Sequence, residues 1–493
     1  MKPIFEKERE FLKLQGVEIP ANCWRDGSKI YLNADTDTMI IRFKVEHKKI
    51  TITKNKLKEI TEKYKNKTFE EEVEENRERL EELLKNDIDK MVECIYKYPN
   101  SEFRLSDSGG KDSLVSRYVF EKACETTKKH DYAMDICNTT NDTAQTYLTV
   151  KQDIRDTLAF QYYIENNKEI TQEELEKRFK DVMLKWIHNP EIGYYQWITD
   201  VKHYYMPSVT VRNCCPTYKE GQINKILDKK KDYVQVLGMR RAESAKRQNY
   251  DYYLNDAMLK YYNYYKDLYE NETDEFLKDT YRKKMNKHKP NAPLNWVKYL
   301  PIVDLTDKDV WLIILMKKLR YNPMYEMGFQ RVGCLLCPYS SVYTDLLIEY
   351  YYPSYWIRWS KIVEKNYELY NVENRLKWTK EEYIQEGKWK EATSKENEIL
   401  TKKPTKERIK QIAELKGISE EMAEKFFKKK CSCGKKLNPD EKAMFYKLFG
   451  RYEGQEDNRE VLCRNCVCKI YGWTNKEYAE KVKEYREGGC NLF

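Results

Sequence analysis

Long apolar runs are missing from this chain of 493 residues: the longest, 310–316, has seven residues, and crossing a bilayer takes about 20. With 41% hydrophobic and 35% charged residues, the composition excludes an integral membrane protein and allows about two to four globular domains. An apolar leader is missing too. Residues 1–12 are charged, which gives no secretory signal and sets the expectation of a cytoplasmic protein. Glycine is scarce at 17 residues while tyrosine reaches 41, beside abundant Lys, Asn and Ile. That bias is typical of an AT-rich genome, so neither tyrosine nor lysine counts are functional signals by themselves. Charge of one sign is not in large excess: 90 Lys+Arg against 81 Asp+Glu leave +9, a mild lean toward polyanions. No internal repeat is visible. Cysteine, by contrast, is plentiful: of 14, eight stand in four tight pairs, which in a long intracellular chain points to metal sites rather than disulfides.

Residues 1–70 read as a small β-rich cap, with strands expected at 29–32, 39–45 and 49–52. Over 71–98, Leu80, Leu83, Leu84, Ile88, Met91 and Ile95 recur at the three- and four-residue steps of a helix face. Then comes alternation: strand 103–105, helix 114–126, strand 132–137, helices to about 186, strand 209–211, helix 221–227 and strand 233–237. This order predicts an α/β domain over 71–340, a mainly parallel sheet sandwiched by helices, with helical insertions at 151–190 and 250–290. In the second insertion Leu254, Met258, Tyr261, Tyr265 and Leu268 form an apolar stripe, read as packing surface rather than a base-stacking platform. Residues 341–428 look helical, and 429–493 form a cysteine-rich, zinc-knuckle module.

Between the strand at 103–105 and the next helix runs Ser106-Asp107-Ser108-Gly109-Gly110-Lys111-Asp112-Ser113. Free amides and the positive end of a helix dipole make such a junction an anion site. The two glycines admit phosphate close to the backbone, Ser108 and Ser113 offer hydroxyls, and Lys111, read as a solvent-facing charge, adds a cation. The Walker spacing is absent. Ser108 to Ser113 resembles the SGGxDS signature of the PP-loop ATP pyrophosphatases, the adenine nucleotide alpha hydrolases. That family cleaves ATP between the α- and β-phosphates to adenylate a substrate, or binds a sulfonucleotide in the same place.

Further segments are similar to the phosphoadenosine phosphosulfate (PAPS) reductase branch, in order, over about residues 75–340. They are Asn138-Thr139-Thr140-Asn141-Asp142-Thr143, then Arg212-Asn213-Cys214-Cys215-Pro216-Thr217-Tyr218-Lys219, then Gly238-Met239-Arg240-Arg241-Ala242-Glu243-Ser244, then Pro301-Ile302-Val303-Asp304-Leu305-Thr306, Asp309-Val310-Trp311, Tyr321-Asn322-Pro323-Met324-Tyr325 and Gly333-Cys334-Leu335-Leu336-Cys337-Pro338. The resemblance implies that Ser108, Gly109, Gly110, Lys111, Asp112, Ser113, Asn138, Thr139, Thr140 and Gly238 hold ATP, or PAPS or adenylyl sulfate in its place. Lys111, Lys219, Arg240 and Arg241 would face the α-phosphate or leaving pyrophosphate, where fixed positive charge acts on the transition state. Asp112 would orient the loop or bind Mg²⁺ through water. Glu243 either takes part or simply holds Arg240.

Cys214-Cys215 and Cys334-x-x-Cys337, 119 positions apart, stand where the cluster-bearing members of that branch carry four iron-sulfur ligands. Four thiolates suit a [4Fe-4S] cluster or zinc, and adjacent cysteines are awkward for tetrahedral zinc. A redox-active or inert thiol set is the other reading. Near the C-terminus Cys431-x-Cys433 and Cys463-x-x-Cys466 have 29 residues between them and fit a structural Zn²⁺ site, with Cys468 an alternative to Cys466. A basic run, 425–430, follows a candidate phosphate-facing hairpin at 412–418; both suit nucleic acid, or equally a solvated helix face.

Three activities are consistent with these residues. The first is ATP-dependent sulfur transfer through an adenylated acceptor, which is DNA, tRNA or a small carboxylate, with pyrophosphate released. The second is a sulfonucleotide reductase whose tail thiol, Cys490 in Gly488-Gly489-Cys490, attacks sulfur and releases sulfite; the family's Glu and His around that cysteine are absent here. The third is a non-catalytic nucleotide-sensing component of a defence or modification assembly. Implied partners are a sulfur donor such as a cysteine desulfurase, or a thioredoxin-like reductant, with no membrane and a homodimer left open.

Overall fold

Five short strands near the N-terminus pair antiparallel in chain order: β1 (Lys2–Pro3), β2 (Trp24–Asp26), β3 (Lys29–Tyr31), β4 (Met39–Glu46) and β5 (Lys49–Asn55). The computed structural model describes residues 1–167, 169–209, 214–288, 296–371, 376, 378–391, 399, 403–428, 430–449 and 461–487. The chain divides into two compact units, Met1–Asn366 with Glu381–Lys390, and Tyr367–Lys380 with Glu391–Phe493. In the cap, periodicity finds β3, β4 and β5; β1 and β2 are too short to show a period, as is the helix between them, α1 (Glu6–Leu14). A fully buried carboxylate pins this region. Glu8 accepts from Lys2 Nζ at 2.5 Å and Arg25 Nε at 2.6 Å, while those cations also donate to the carbonyls of Tyr325 (3.1 Å) and Gly328 (2.6 Å). The cap is thereby fastened to the segment that carries Tyr325.

The second sheet is parallel: β6 (Glu102–Ser106), β7 (Tyr132–Cys137), β8 (Ile187–His188), β9 (Tyr233–Val236) and β10 (Trp296–Tyr299), in the order β10-β9-β6-β7-β8. Helix α2 (Leu57–Lys63) packs on β4 of the cap, and the parallel sheet's helices include α3 (Phe69–Lys97), α4 (Lys111–Thr127), α5 (Ala144–Asp156), α6 (Leu158–Asn166), α7 (Gln172–Trp186) and Asp307–Met316. Helix α3 starts at a capping box of Thr68 and Glu71, and its Leu80, Leu84, Met91 and Ile95 are buried as the spacing requires. They share a core with Phe103, Leu105, Met134, Val234 and Val236 of the strands and Val115 and Val119 of α4. The α/β fold, the helix-flanked parallel sheet and the β-rich cap are therefore as expected.

Two edge strands, β8 and β10, escape sequence reading, being two and four residues long. The strand expected at 209–211 lies partly outside the described residues; Val209 itself is in no strand, its N–H donating to the Lys390 carbonyl at 3.0 Å. The second insertion is the helix pair Leu254–Asn271 and Glu275–His288, in which Tyr265 and Leu268 of the expected stripe are half-buried and Tyr261 is exposed. Among the described residues no helix is long and apolar enough to cross a membrane.

The sheet's winding locates the site. It begins at the centre with β6, goes outward to β8, then returns to β9 on the other side of β6. Connections leaving the ends of β6 and β9 thus diverge, and open α/β sheets bind ligands at such a switch point.

In the second unit, helices Lys406–Lys416 and Glu420–Phe426 meet at Gly417, left-handed at φ +62°, over Ile412, Ala413, Ala423 and Phe426. This is the hairpin expected at 412–418. Pro439–Phe449, Arg464–Tyr471 and Asn475–Glu487 then enclose Met444, Val467, Tyr478 and Val482.

Candidate functional site

Helix α4 begins at Lys111, one residue after the glycine pair, and the loop before it is shaped by its own side chains. Gly109 adopts φ +67°, which favours glycine. Its N–H donates to Asp107 Oδ1 at 2.8 Å, the Gly110 N–H to Ser113 Oγ at 3.2 Å and the Lys111 N–H to the Tyr325 hydroxyl at 2.8 Å. Ser108 and Ser113 hydroxyls lie 3.4 Å apart. The turn after β9 presses on the same helix end: a Cβ on Gly238 would stand 2.7 Å from the Asp112 carbonyl oxygen and 3.0 Å from the Ser113 nitrogen. Gly238→Ala must push backbone apart, and we expect it to cost about 1–3 kcal/mol in urea denaturation and to displace the loop. Wild-type stability would mean the two turns are not in close contact.

Lys111 is not the solvent-facing charge expected. Only 6% exposed, its ammonium folds back onto Asp112 (Oδ1, 2.8 Å) and Asp307 (Oδ1, 3.0 Å). Arg240, 1% exposed, binds the same pair, Nε to Asp112 Oδ1 at 2.8 Å and Nη2 to Asp307 Oδ1 at 2.7 Å. Burial pushes the Asp307 carboxyl up, but Lys111, the Met1 amino nitrogen 3.5 Å away and Arg240 outweigh it and hold the group far below the usual carboxylate range. Asp307 was missed in the sequence. The signal available was the Thr306-x-x-Asp309 capping box, which starts a helix with Asp307 as its first residue.

Arg241 is not brought to this cluster. It pairs with Asp304, lies 3.5 Å from Asp251 and donates to the Tyr250 carbonyl at 2.5 Å. Glu243 accepts the Arg240 N–H at 2.9 Å and pairs with Arg247 at 2.7 Å, so it shapes the turn's backbone and acts on the Arg240 guanidinium through its charge, without a direct hydrogen bond. Beside Arg241, the Tyr252 hydroxyl sits 3.0 Å from both Asp304 Oδ2 and Asp87 Oδ1. Burial pushes the Asp87 carboxyl up to about 7. Unfolded, Asp87 ionises near pH 4. Between those values the native state binds more protons than the unfolded one, so stability falls as pH rises, by on the order of 1 kcal/mol per pH unit. Asp87→Asn should flatten this slope in urea denaturation at about pH 5 and about pH 7.5. An unaltered slope would contradict the assignment.

The loop after β7 is also occupied with its own shape. The Asn138 amide donates to Asn189 at 2.8 Å, the Thr139 hydroxyl to Asp142 at 2.6 Å, and the Thr140 hydroxyl accepts the Tyr194 N–H at 2.7 Å. Leu335 N–H donates to the Asn141 carbonyl at 2.8 Å, which docks the Cys334 segment here. Cys214 and Cys215 precede the helical turn Pro216–Glu220, whose Lys219 ammonium has Cys334, Asp142, Cys215 and Cys337 as electrostatic neighbours and is raised chiefly by Cys334. Burial pushes the Cys334 thiol up to about 11. Lys219, Cys334, Cys337, Met324 and Tyr339 line a cavity of about 400 Å³. One continuous segment joins the two places, since Tyr325 touches the phosphate loop and Cys334 touches the loop after β7. Arg212 and Asn213 lie outside the described residues, as does Cys490.

Among the described residues only Cys431, Cys433, Cys463 and Cys466 form a group whose ligand atoms all lie within 4.8 Å of one another. Their Sγ pairs at 3.7 Å (Cys431 to Cys466) and 3.6 Å (Cys433 to Cys463) match the edge of a tetrahedron with ~2.3 Å metal–sulfur bonds, about 3.8 Å. These four thiols can coordinate a metal ion. Burial pushes the Cys431 thiol up, but hydrogen bonds from the Cys433 and Cys463 backbones prevail and bring it to about 6. Gly434 at φ +81° and the Cys431 N–H to Lys435 carbonyl bond (2.8 Å) close the knuckle. Cys468 turns away to the Thr474 carbonyl, which selects Cys466 as fourth ligand. The thiols of Cys214, Cys215, Cys334 and Cys337 do not all lie within 4.8 Å of one another, although Cys214 has the other three as neighbours.

Residues 102–340 match the family described as the phosphoadenosine phosphosulfate reductase domain. The chain therefore carries a PAPS-reductase-like domain of the PP-loop superfamily, followed by a metal-binding module of four cysteines. Two uncharacterised proteins of Methanocaldococcus jannaschii are similar to it. One is 31% identical over 91 residues, 18% of each chain; the other is 21% identical over 303 residues, 60% of this chain and 56% of the relative. The chain thus spans at most little more than half the length of these relatives.

Proposed function

We propose that the PAPS-reductase-like domain transfers sulfur at the expense of ATP. The observation carrying this reading is the join between the phosphate loop and the thiol-lined cavity, made by the segment from Tyr325 to Cys337. An acceptor oxygen attacks the α-phosphorus, the bond to the β-phosphate breaks, and pyrophosphate leaves. A sulfide-level sulfur donor then forms the carbon–sulfur bond as AMP departs with the oxygen, with no net redox change. Lys219, at the cavity, is proposed to meet the α-phosphate, and Lys111 and Arg240, held at the loop by Asp112 and Asp307, to turn to the pyrophosphate when nucleotide binds. Charge fixed before the reaction is worth most where charge develops.

The set Cys214, Cys215, Cys334 and Cys337 fits an iron-sulfur cluster better than one Zn²⁺ ion. A cluster spreads its thiolates over several irons and does not need them within one tetrahedron. When bound, with each iron taken by one of the four thiolates, it would supply a fixed charged centre beside the cavity, and Lys219 would offset the thiolate charge. The decisive assay uses anaerobic protein: pyrophosphate release from ATP, with nucleic acid or a small carboxylate as acceptor, is the expected result. Sulfite release from a sulfonucleotide with thioredoxin, lost in Cys490→Ser, would replace this reading by the reductase one. Nucleotide binding without either product would leave a sensing component.

A further inference from the structure

The second unit contains a cavity of about 450 Å³ lined in part by Lys435, Lys436, Asp440, Glu441, Arg464 and Lys483. In sequence Lys435 and Lys436 follow the Cys433-Gly434 knuckle, and Arg464 follows Cys463, so the metal-binding turns fix these cations in place. Glu441 does not cancel them. It is 3% exposed and its carboxylate is taken up by backbone donors, Arg464 N–H at 2.7 Å and Asn438 N–H at 2.9 Å, with Lys435 at 3.8 Å. Among the described residues, neither Lys436 nor the Arg464 side chain makes an ion pair.

A blander use for these cations is to offset the metal centre, since four thiolates around a divalent ion carry a formal charge of about −2. The local charge goes beyond that use: residues 430–487 hold thirteen Lys+Arg against ten Asp+Glu, an excess of three against the centre's two, and four of the cations gather at this one cavity. A guanidinium beside ammonium groups in a concave site is suited to a tetrahedral oxyanion, which accepts several charge-assisted hydrogen bonds at once.

We propose that this cavity binds a phosphate group through Lys436 and Arg464, with Lys435 and Lys483 at its rim. The phosphodiester of a nucleic acid strand and free inorganic phosphate share that chemistry. The proposal deepens the functional reading by giving a nucleic-acid acceptor a docking point, and it rests on that reading only for the strand's role as substrate.

The test uses the full-length, metal-loaded chain and a fluorescent single-stranded oligonucleotide of about 20 nucleotides, a length that exceeds a typical single-domain footprint. Anisotropy is read across a salt series for wild type and for Lys436→Gln with Arg464→Gln. The expected result is roughly tenfold weaker binding at low salt and a log K against log salt slope smaller by about 0.7 for each lost contact. Lys436→Arg with Arg464→Lys should restore both. Unaltered oligonucleotide binding, but protection of the wild-type unit by inorganic phosphate against thermal unfolding that the double variant lacks, would assign the free ion. Equal behaviour of both proteins in both arms, with metal content retained, overturns the proposal. Failure of the functional reading looks different: no pyrophosphate release from ATP, with oligonucleotide binding intact.

Discussion

Chelation is expected to unfold the C-terminal module while leaving the first unit folded. Residues 431–449 and 461–487 bury little apolar surface of their own: Met444, Phe445, Val461, Val467, Tyr478 and Val482 supply most of it. A segment this small seldom reaches stability from its core alone. Metal held by four thiolates supplies folding free energy directly, with apparent values of about 10–16 kcal/mol for structural zinc at neutral pH. Cys463→Ser should therefore abolish the module's protected amides in hydrogen exchange, since Cys463 is fully buried and stands at the start of the helix Arg464–Tyr471. Cys468→Ser, outside the ligand set, should keep them. Persistence of protected amides in the chelated protein would mean that packing, not metal, holds the module. Binding of nucleotide at the loop of the other unit should survive chelation.

Arg240→Ala is expected to reduce both stability and turnover, the second large effect. The guanidinium is buried and holds two carboxylates and the Leu305 carbonyl at once. Removing one partner of a buried pair costs up to ~3–5 kcal/mol because the other charge is left behind. Asp112 and Asp307 are 28% and 36% exposed, so solvent recovers part of this and about 2–4 kcal/mol is the expectation. Lys111→Ala should cost less, since Arg240 still holds both carboxylates. On the proposed function each variant also loses pyrophosphate release by about 10²–10³-fold, the scale for deleting one fixed donor to a developing charge. Arg240→Lys keeps a charge but not the fork and should fall between. Undiminished stability of Arg240→Ala would remove the ion cluster from this account, and undiminished turnover of Lys111→Ala would remove the loop from the active site.

The division between sequence and tertiary information follows from the range of the interactions. Helix α3 was readable because its buried face repeats within one helix, and β6, β7 and β9 because each is a local apolar run between turn residues. The phosphate loop was readable from Ser108 to Ser113, since strand, glycine pair and helix start are contiguous. The two knuckle pairs were readable because ligand spacing is itself local. The cap's β1 and β2 were not, for they are held by Glu8 reaching Lys2 and Arg25 and by contacts more than 300 positions away.

Pairwise contact alone decided the rest. Nothing near Lys111 in sequence announces Asp307, 196 positions on, yet that carboxylate turns an exposed phosphate-seeking lysine into a buried one. The parting of Arg240 from Arg241 is likewise tertiary, because Arg240 is extended while Arg241 begins a 3-10 turn, and the two meet different carboxylates. Cys466 and Cys468 are equivalent as letters; helix geometry turns one toward Cys431 and the other toward Thr474. What the chain determines by itself is which residue types are available at each local junction. Which charges end up paired, buried or left over depends on groups that only folding brings within a few ångströms, where Coulomb and desolvation terms become large enough to decide.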